Sequence, residues 1–176
     1  MSVKSSNKFI ASAGALIIAL ALTSCGSSTK ESAVGTFTPE PTAAPKVAGA
    51  FGSPLSLADG TTYTITAPSS FTPGHFASGQ IPGQLFEGFT LQVTNGGKSD
   101  LDLGTLVVQG TTPSGECADI FDGDNHVNGA PQTPLPVGKM FNIGWALSCP
   151  GKVGDKIDIV VTVGNASLIK GSGKLV

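Results

Sequence analysis

Arginine is absent from this chain, because all ten of its basic residues are lysine. From Cys25 onward, eight lysines stand against twelve Asp and Glu residues, which gives a formal net charge of −4. A surface that binds nucleic-acid phosphates needs clustered cations, and recognition of bases and planar anions relies heavily on the guanidinium group. The composition therefore argues against nucleic acid as a partner.

Histidine and aromatic residues are also scarce. The chain has two histidines, His75 and His126, and aromatic residues make up 6% of it, with one Trp and one Tyr. Neither histidine belongs to an HExxH motif and no GxSxG motif is present, so the signatures of zinc proteases and serine hydrolases are missing. A triad assembled from separate loops stays open at this point. We expect no enzymatic activity and no cofactor.

The first 24 residues have the features of an export signal. Lys4 and Lys8, with no acidic residue beside them, precede an apolar run from Phe9 to Leu22. This run is shorter than the roughly 20 apolar residues that a membrane-spanning helix requires. A charged segment followed by a short apolar segment is typical of signal peptides. We therefore predict a signal peptide over residues 1–24.

The end of this segment, Leu22-Thr23-Ser24-Cys25, resembles the lipobox of bacterial lipoproteins. The resemblance implies that a diacylglyceryl group is attached to the Cys25 thiol and that the signal peptide is removed before this cysteine. A single acyl chain binds a membrane only reversibly, whereas two chains hold a protein stably. The resemblance thus implies a protein anchored by Cys25 to the outer face of the cytoplasmic membrane.

Residues 25–50 are predicted to form a flexible, lipidated tether. This segment shows no sustained apolar period, and Pro39, Pro41 and Pro45 follow one another closely. Such a composition is typical of linkers that connect a domain to its anchor. As an alternative, Phe37 or Val47 packs onto the folded domain.

Residues 51–176 are predicted to form an all-β domain, an immunoglobulin-like antiparallel β-sandwich of about seven strands. From Phe141 to Cys149, large apolar residues occupy alternate positions and so face one side of a strand. The 24 Gly and 12 Pro residues suit the many turns of such a fold. Further strands are expected at 63–67, 89–93, 101–109, 117–121, 157–163 and 168–176.

The cysteine count fits an exported domain. With Cys25 assigned to the lipid, Cys117 and Cys149 remain as an even pair in an oxidising compartment. We predict a disulfide between them. The alternative is a free thiol with a redox role, but the chain contains no CxxC motif and Cys149 falls on the apolar face of its strand.

Three segments carry a further resemblance: Asp59-Gly60, GFTLQVTNGGKSDLDL from Gly88 to Leu103, and LPVGKMFNIGWAL from Leu135 to Leu147. Together they resemble the immunoglobulin-like domain of unknown function of many Gram-positive lipoproteins, which is similar to an actinobacterial immunogenic extracellular protein. Asn95 and Pro136-Val137-Gly138 occupy the turn positions of that family. The resemblance implies a β-sandwich and no catalytic residues.

An acidic segment provides the only candidate metal ligands. Asp119, Asp122 and Asp124 are closely spaced, and calcium prefers several oxygen ligands from such a loop. Their spacing does not match an EF-hand loop, because no Glu stands at its closing position. We therefore weigh a calcium or solute site against a solvated turn between strands.

An insertion at residues 69–86 is rich in Gly, Pro and large apolar residues. Loops seldom expose so many large apolar side chains without a role. Either the insertion folds back to cap one end of the sandwich, or part of it forms a recognition surface. The candidate binding residues are Phe71, His75, Phe76, Ile81 and Phe86.

From these features we predict a membrane-anchored, non-enzymatic module that binds a protein or another partner at the cell envelope. The insertion and the loop from Cys117 to Asn125 are the first candidates for the binding surface. The alternative function is a solute- or calcium-binding lipoprotein that serves a transporter or a sensor.

Overall fold

Two β-sheets pack face to face in the computed structural model, which describes residues 43–176. The predicted signal peptide, Cys25 and most of the predicted tether lie outside the described residues. Between Ala43 and Val176 the secondary structure is all strand and turn, and no helix there is long and apolar enough to cross a membrane.

Sheet A consists, in spatial order, of β1 (Val47–Ala50), β11 (Ala166–Lys174), β10 (Lys156–Val163), β6 (Leu106–Thr112) and β7 (Gly115–Glu116). Sheet B consists of β2 (Leu55–Ser56), β3 (Thr62–Ile65), β5 (Leu85–Thr94), β9 (Met140–Cys149) and β8 (Ala118–Ile120), with β4 (Ser69–Ser70) beside β5. Neighbouring strands are antiparallel except β1 and β11, which are parallel. Seven of the eleven strands have four residues or more, so the predicted immunoglobulin-like sandwich is confirmed.

The core lies between the sheets and follows from the alternation in the sequence. On β9, Ile143, Trp145 and Leu147 are buried in the core, as the apolar face predicts. Leu91 and Val93 of β5 pack in the same cluster from the neighbouring strand. Because apolar burial is the main favourable term in folding, this continuous cluster is what holds the two sheets together.

Asn95 fixes the turn that follows β5. Its side chain is buried, and the amide Nδ2 donates to the carbonyl oxygens of Ser99 and Leu135, each at 2.9 Å. Its Oδ1 accepts the Gly97 N–H, and its carbonyl accepts the Gly138 N–H at 2.7 Å. The two turn motifs singled out in the sequence therefore contact each other, and this contact sets the geometry at one end of sheet B.

Several strand boundaries differ from the prediction, and two of the differences change the description of the fold. Residues 47–50, assigned to the tether, form β1, and Val47 is partly buried against the core. The tether boundary at residue 50 is thus wrong, because parallel pairing with β11 gives these small residues a place in sheet A. The strand expected from Leu101 begins instead at Leu106, and Leu101 forms an isolated bridge with Leu135.

Candidate functional site

The outer face of sheet B carries unusually small residues where its two long strands meet. Gly88 of β5 pairs with Ala146 of β9, and Gly144 lies two residues before Ala146 on the same face. A Cβ atom added to Gly88 would lie 3.1 Å from the Phe71 ring, and one added to Gly144 would lie 3.1 Å from the His126 carbonyl oxygen. Small side chains therefore let two loops lie directly against this face.

These two loops, residues 71–84 and 121–129, form one continuous layer that we call the loop cover. Ser78 and Phe121 exchange two backbone hydrogen bonds of 2.9 Å, which join the loops as a short antiparallel bridge. Below this layer, Ile120, Val127 and Ala146 form a second buried apolar cluster, against which Phe71, Ala77 and Phe86 pack. The insertion and the acidic loop, predicted separately as binding surfaces, thus belong to a single surface.

Side chains also bind the two loops together. Asp122 is buried, and its Oδ2 accepts the Gly74 N–H at 2.7 Å and the Asn125 amide Nδ2 at 2.7 Å. Hydrogen bonds from the Gly74 and Asn125 groups stabilise the ionised form and lower the pKa of the Asp122 carboxyl. The Asn125 Nδ2 also donates to the Thr72 carbonyl oxygen at 3.4 Å. The cover is therefore held by defined polar contacts as well as by apolar packing.

The candidate binding residues of the insertion divide into two groups. Phe71 and Phe86 pack against the second apolar cluster, whereas Phe76 is 84% exposed and Ile81 is 42% exposed. His75 contacts Phe76 edge to face, with 4.7 Å between the ring centroids. The capping layer lies on the outer face of sheet B, although the sequence suggested one end of the sandwich. Part of the insertion thus forms a capping layer, and the role of its exposed residues as a recognition surface stays a prediction.

Phe121 is an exposed aromatic residue that the sequence analysis did not single out. It follows β8 directly and is 50% exposed, although its backbone is paired with Ser78. The sequence feature that could have indicated its exposure is the alternation of side chains along a strand. Phe121 follows the buried Ile120, so its side chain lies on the opposite side of the chain. Together, Phe76, Ile81 and Phe121 are the exposed apolar residues of the loop cover.

The three aspartates considered as calcium ligands do not form one site. Asp119 precedes Ile120 on β8 and points toward the other face of sheet B, where its Oδ1 accepts the Trp145 indole N–H at 2.9 Å. Burial raises the pKa of the Asp119 carboxyl, and this hydrogen bond opposes the change. Asp122 is engaged within the cover. Between residues 43 and 176, no group of three or more His, Cys, Asp or Glu side chains is arranged to hold a metal ion.

Cys117 and Cys149 form the predicted disulfide, with their Cα atoms 4.2 Å apart. Cys117 lies where the chain passes from β7 of sheet A to β8 of sheet B, and Cys149 is the last residue of β9. Gly110 of β6 leaves room for this bond, because an added Cβ atom would lie 3.0 Å from the Cys117 Sγ. The disulfide therefore fixes the core at the end where the chain changes sheets.

Glu87 is a buried carboxyl that the sequence analysis did not identify. It lies on the core-facing side of β5, as Phe89 and Leu91 do. Its position in this alternating pattern could have predicted its burial from the sequence. Its Oε1 accepts the Val176 N–H at 2.9 Å, whereas its Oε2 is buried without a hydrogen-bond partner in the described structure. Burial raises the pKa of this carboxyl, and the Val176 hydrogen bond opposes the change.

No protein-family model and no curated protein matches this chain. Among solved structures, the secreted Mycobacterium tuberculosis protein MPT63 is similar over 74% of this chain and 99% of its own, with a TM-score of 0.51 and 16% identity. A candidate lipoprotein from Bacillus subtilis, YcdA, is similar over 66% of this chain, with a TM-score of 0.53 and 14% identity. This chain spans 37% of the length of YcdA. The likeness shows a shared β-sandwich fold.

Proposed function

We propose that this protein is an extracytoplasmic lipoprotein without enzymatic activity, which binds a protein partner at the cell envelope through the exposed apolar residues of its loop cover. The observation that carries the proposal is Phe76, a large aromatic side chain that is 84% exposed on a loop held by hydrogen bonds. Large apolar residues that stay in water on an ordered surface commonly mark interaction sites.

The loop cover has the properties expected of a preorganised binding surface. The Ser78–Phe121 bridge and the Asp122 contacts fix the backbone on both sides of Phe76, so little conformational entropy remains to be lost on binding. Aromatic residues at the centre of an interface contribute much of the binding energy when they enter a pocket of the partner. Phe76 and Phe121 are the residues we assign to this role.

The sequence supports the parts of the proposal that concern export and membrane anchoring. The Lys4 to Leu22 segment and Cys25 have the order of a lipoprotein leader, and the disulfide suits an oxidising compartment. Among the proteins of similar fold, one is described as secreted and one as a candidate lipoprotein, which supports an address outside the cytoplasm.

The positions of the two histidines support the proposed lack of enzymatic activity. His75 packs on Phe76 at the surface, and His126 lies in the other loop of the cover. Within the described residues, neither imidazole takes part in a hydrogen bond to a carboxyl or hydroxyl group that would make it a general base.

Site-specific photocrosslinking in intact cells tests the proposal. A photoreactive amino acid replaces Phe76 in one variant and Val153 in a control, because Val153 is 69% exposed but lies on the turn between β9 and β10. We expect a defined crosslinked protein with the probe at position 76 and none at position 153. The Phe121→Ala change should weaken the crosslink formed at position 76.

Fractionation and fatty-acid labelling of the same cells test the proposed lipid anchor. We expect the protein in the membrane fraction and labelled by a radioactive fatty acid, and we expect no such label on the Cys25→Ala variant. Equal crosslinking at positions 76 and 153, or no adduct at position 76, would contradict the binding surface. Absence of the fatty-acid label from the original protein, or label that survives Cys25→Ala, would contradict the lipid anchor.

A further inference from the structure

A pocket beside the loop cover lies at an unpaired edge of β9. On that edge, β8 pairs only with residues 146–148 of β9, and no other described strand lies next to residues 141–144. The chain from residue 126 to residue 133 runs beside this edge and leaves an open pocket of about 310 Å³. A volume of this size is at the lower end of the range of small-molecule sites.

The lining of the pocket combines polar side chains that carry amide, hydroxyl or imidazole groups with a few apolar ones. The polar side chains are those of His126, Asn128, Gln132, Thr133 and Asn142, and the apolar lining residues are Pro131, Phe141 and Ile143. No lysine, aspartate or glutamate is among the lining residues. Each amide provides both hydrogen-bond donors and an acceptor, and the threonine hydroxyl does the same. The pocket therefore suits a ligand that is itself both donor and acceptor and carries no net charge.

Much of this hydrogen-bonding capacity is free. Gln132 donates one bond of 3.1 Å to the Ala130 carbonyl oxygen. The side-chain hydrogen bonds found between residues 43 and 176 include none made by the amides of Asn128 or Asn142. Both of these side chains are exposed, so they can exchange bonds with water for bonds with a ligand.

The backbone at one side of the pocket is in an unusual conformation. His126 has a φ of 59° and is the only non-glycine residue with a positive φ in the described part of the chain. Its conformation is maintained by the hydrogen bond from its N–H to the Gly123 carbonyl oxygen and by the pair between Asp122 and Val127. Residues held in this region of φ/ψ space are concentrated at binding and catalytic sites.

Apolar groups line the same pocket. Phe141 and Pro131 are among its lining residues, and Phe141 is only partly buried. The negative face of an aromatic ring attracts the polarised C–H groups of a ligand that lies flat against it.

We propose that this pocket binds a neutral saccharide ring. An anion would find no ammonium group among the lining residues, a cation would find no carboxylate, and an apolar ligand would leave the amides unpaired. Sugar hydroxyls donate and accept at once, as the amides of Asn128, Gln132 and Asn142 do. The C–H face of the sugar packs on the apolar lining provided by Phe141 and Pro131. This inference goes beyond the proposed protein-binding function and does not rest on it.

Saturation-transfer difference NMR on the purified full-length protein tests the proposal, with maltose and N,N′-diacetylchitobiose as probes. We expect transfer to the ring protons of at least one disaccharide, with a dissociation constant on the order of 1 mM. The double change Asn128→Ala and Asn142→Ala should weaken binding by at least about tenfold, because it removes two ligand hydrogen bonds.

Gln109→Ala is the matched control, since Gln109 is an exposed amide on β6 of the opposite sheet, and it should leave the affinity unchanged. If the double variant does not fold, Gln132→Ala provides the same comparison. No transfer to either disaccharide would overturn the proposal, as would binding that the amide variants leave intact. Preferential binding of triglycine would overturn it in favour of a peptide at the open edge of β9.

Discussion

Glu87 is a single residue that places a carboxyl group inside the core. One of its oxygens accepts the Val176 N–H, and the other has no partner within the described residues. A buried carboxylate without a countercharge is costly, so the folded state favours the protonated acid. Burial therefore raises the pKa of Glu87 in the folded protein above its ordinary value of 4.5.

The consequence for stability is a dependence on pH with a defined sign. Because the folded state binds the Glu87 proton more tightly than the unfolded chain, the stabilising contribution is full below the ordinary pKa. It is lost as pH rises through the raised value. Glu87→Gln keeps a neutral side chain at every pH. We expect its free energy of unfolding to exceed that of the original protein at neutral pH and to vary less with pH.

Urea unfolding from about pH 2 to about pH 8 measures this difference. The control is Glu116→Gln, since Glu116 is exposed on β7. Below about pH 4 all three proteins should lose stability together through Asp158. Burial of Asp158 opposes its ionisation, but Ser172, Lys170 and Lys156 outweigh this effect and lower its pKa to about 2. Parallel curves for Glu87→Gln and the original protein would contradict the assignment.

At the scale of strands and loops, β1 shows what local pattern does not reveal. Its sequence, VAGA, lacks the large apolar residues that identified β5 and β9, and its burial is only partial. What makes it a strand is parallel pairing with β11, more than a hundred residues later in the chain. The long strands were predictable because their own alternation encodes their burial, whereas an edge strand depends on a distant partner.

The loop cover shows the same limit for the candidate site. The sequence identified the insertion and the acidic loop from their composition, but not that Ser78 and Phe121 join them. It also could not assign Phe71 inward and Phe76 outward, because loops have no regular period. The sequence shows that Gly88, Gly144 and Ala146 are small. Their role in making room for the two loops could not be predicted, because it depends on how those loops pack.

Gly79 is a position at which the loop cover approaches β8 closely. Its φ is 90°, and an added Cβ atom would overlap the carbonyl oxygen of Asp119. Gly83 has a similar φ of 85° but open space around it. We expect Gly83→Ala to cost about 1 kcal/mol from backbone strain alone, and Gly79→Ala to cost about 2 kcal/mol more from the overlap.

Chemical unfolding of the two glycine variants measures the difference between them. Equal losses of stability in the two variants would contradict the close contact between Gly79 of the loop cover and Asp119 of β8. Photocrosslinking at position 76 should weaken in Gly79→Ala but not in Gly83→Ala, because only the former displaces the loop that carries Phe76.

At the scale of the whole molecule, the disulfide covalently links the two ends of a long segment of the chain. Cys117 and Cys149 are 32 residues apart in sequence, and the segment between them includes one loop of the cover and most of β9. Closing a loop of this length restricts the unfolded chain and stabilises the fold by about 3.5 to 4 kcal/mol in the chain-entropy account.

Replacing both cysteines, in Cys117→Ser with Cys149→Ser, should remove that contribution and lower the melting temperature by roughly 10 °C. Calorimetry of the variant and of the original protein under reducing conditions provides the comparison, and the two should agree. A loss below about 1 kcal/mol would contradict the prediction and would indicate that the unfolded chain is already compact in this region.

The loop cover also has a consequence for the rate at which amide protons exchange with solvent. It buries part of β5 and β9 on both faces, whereas β6 of sheet A leaves Val107 and Gln109 exposed on its outer side. Exchange from the covered part of sheet B requires the loops to detach as well as the strands to open. Any molecule that holds the loops in place would therefore slow exchange deep in sheet B, far from the atoms that it touches.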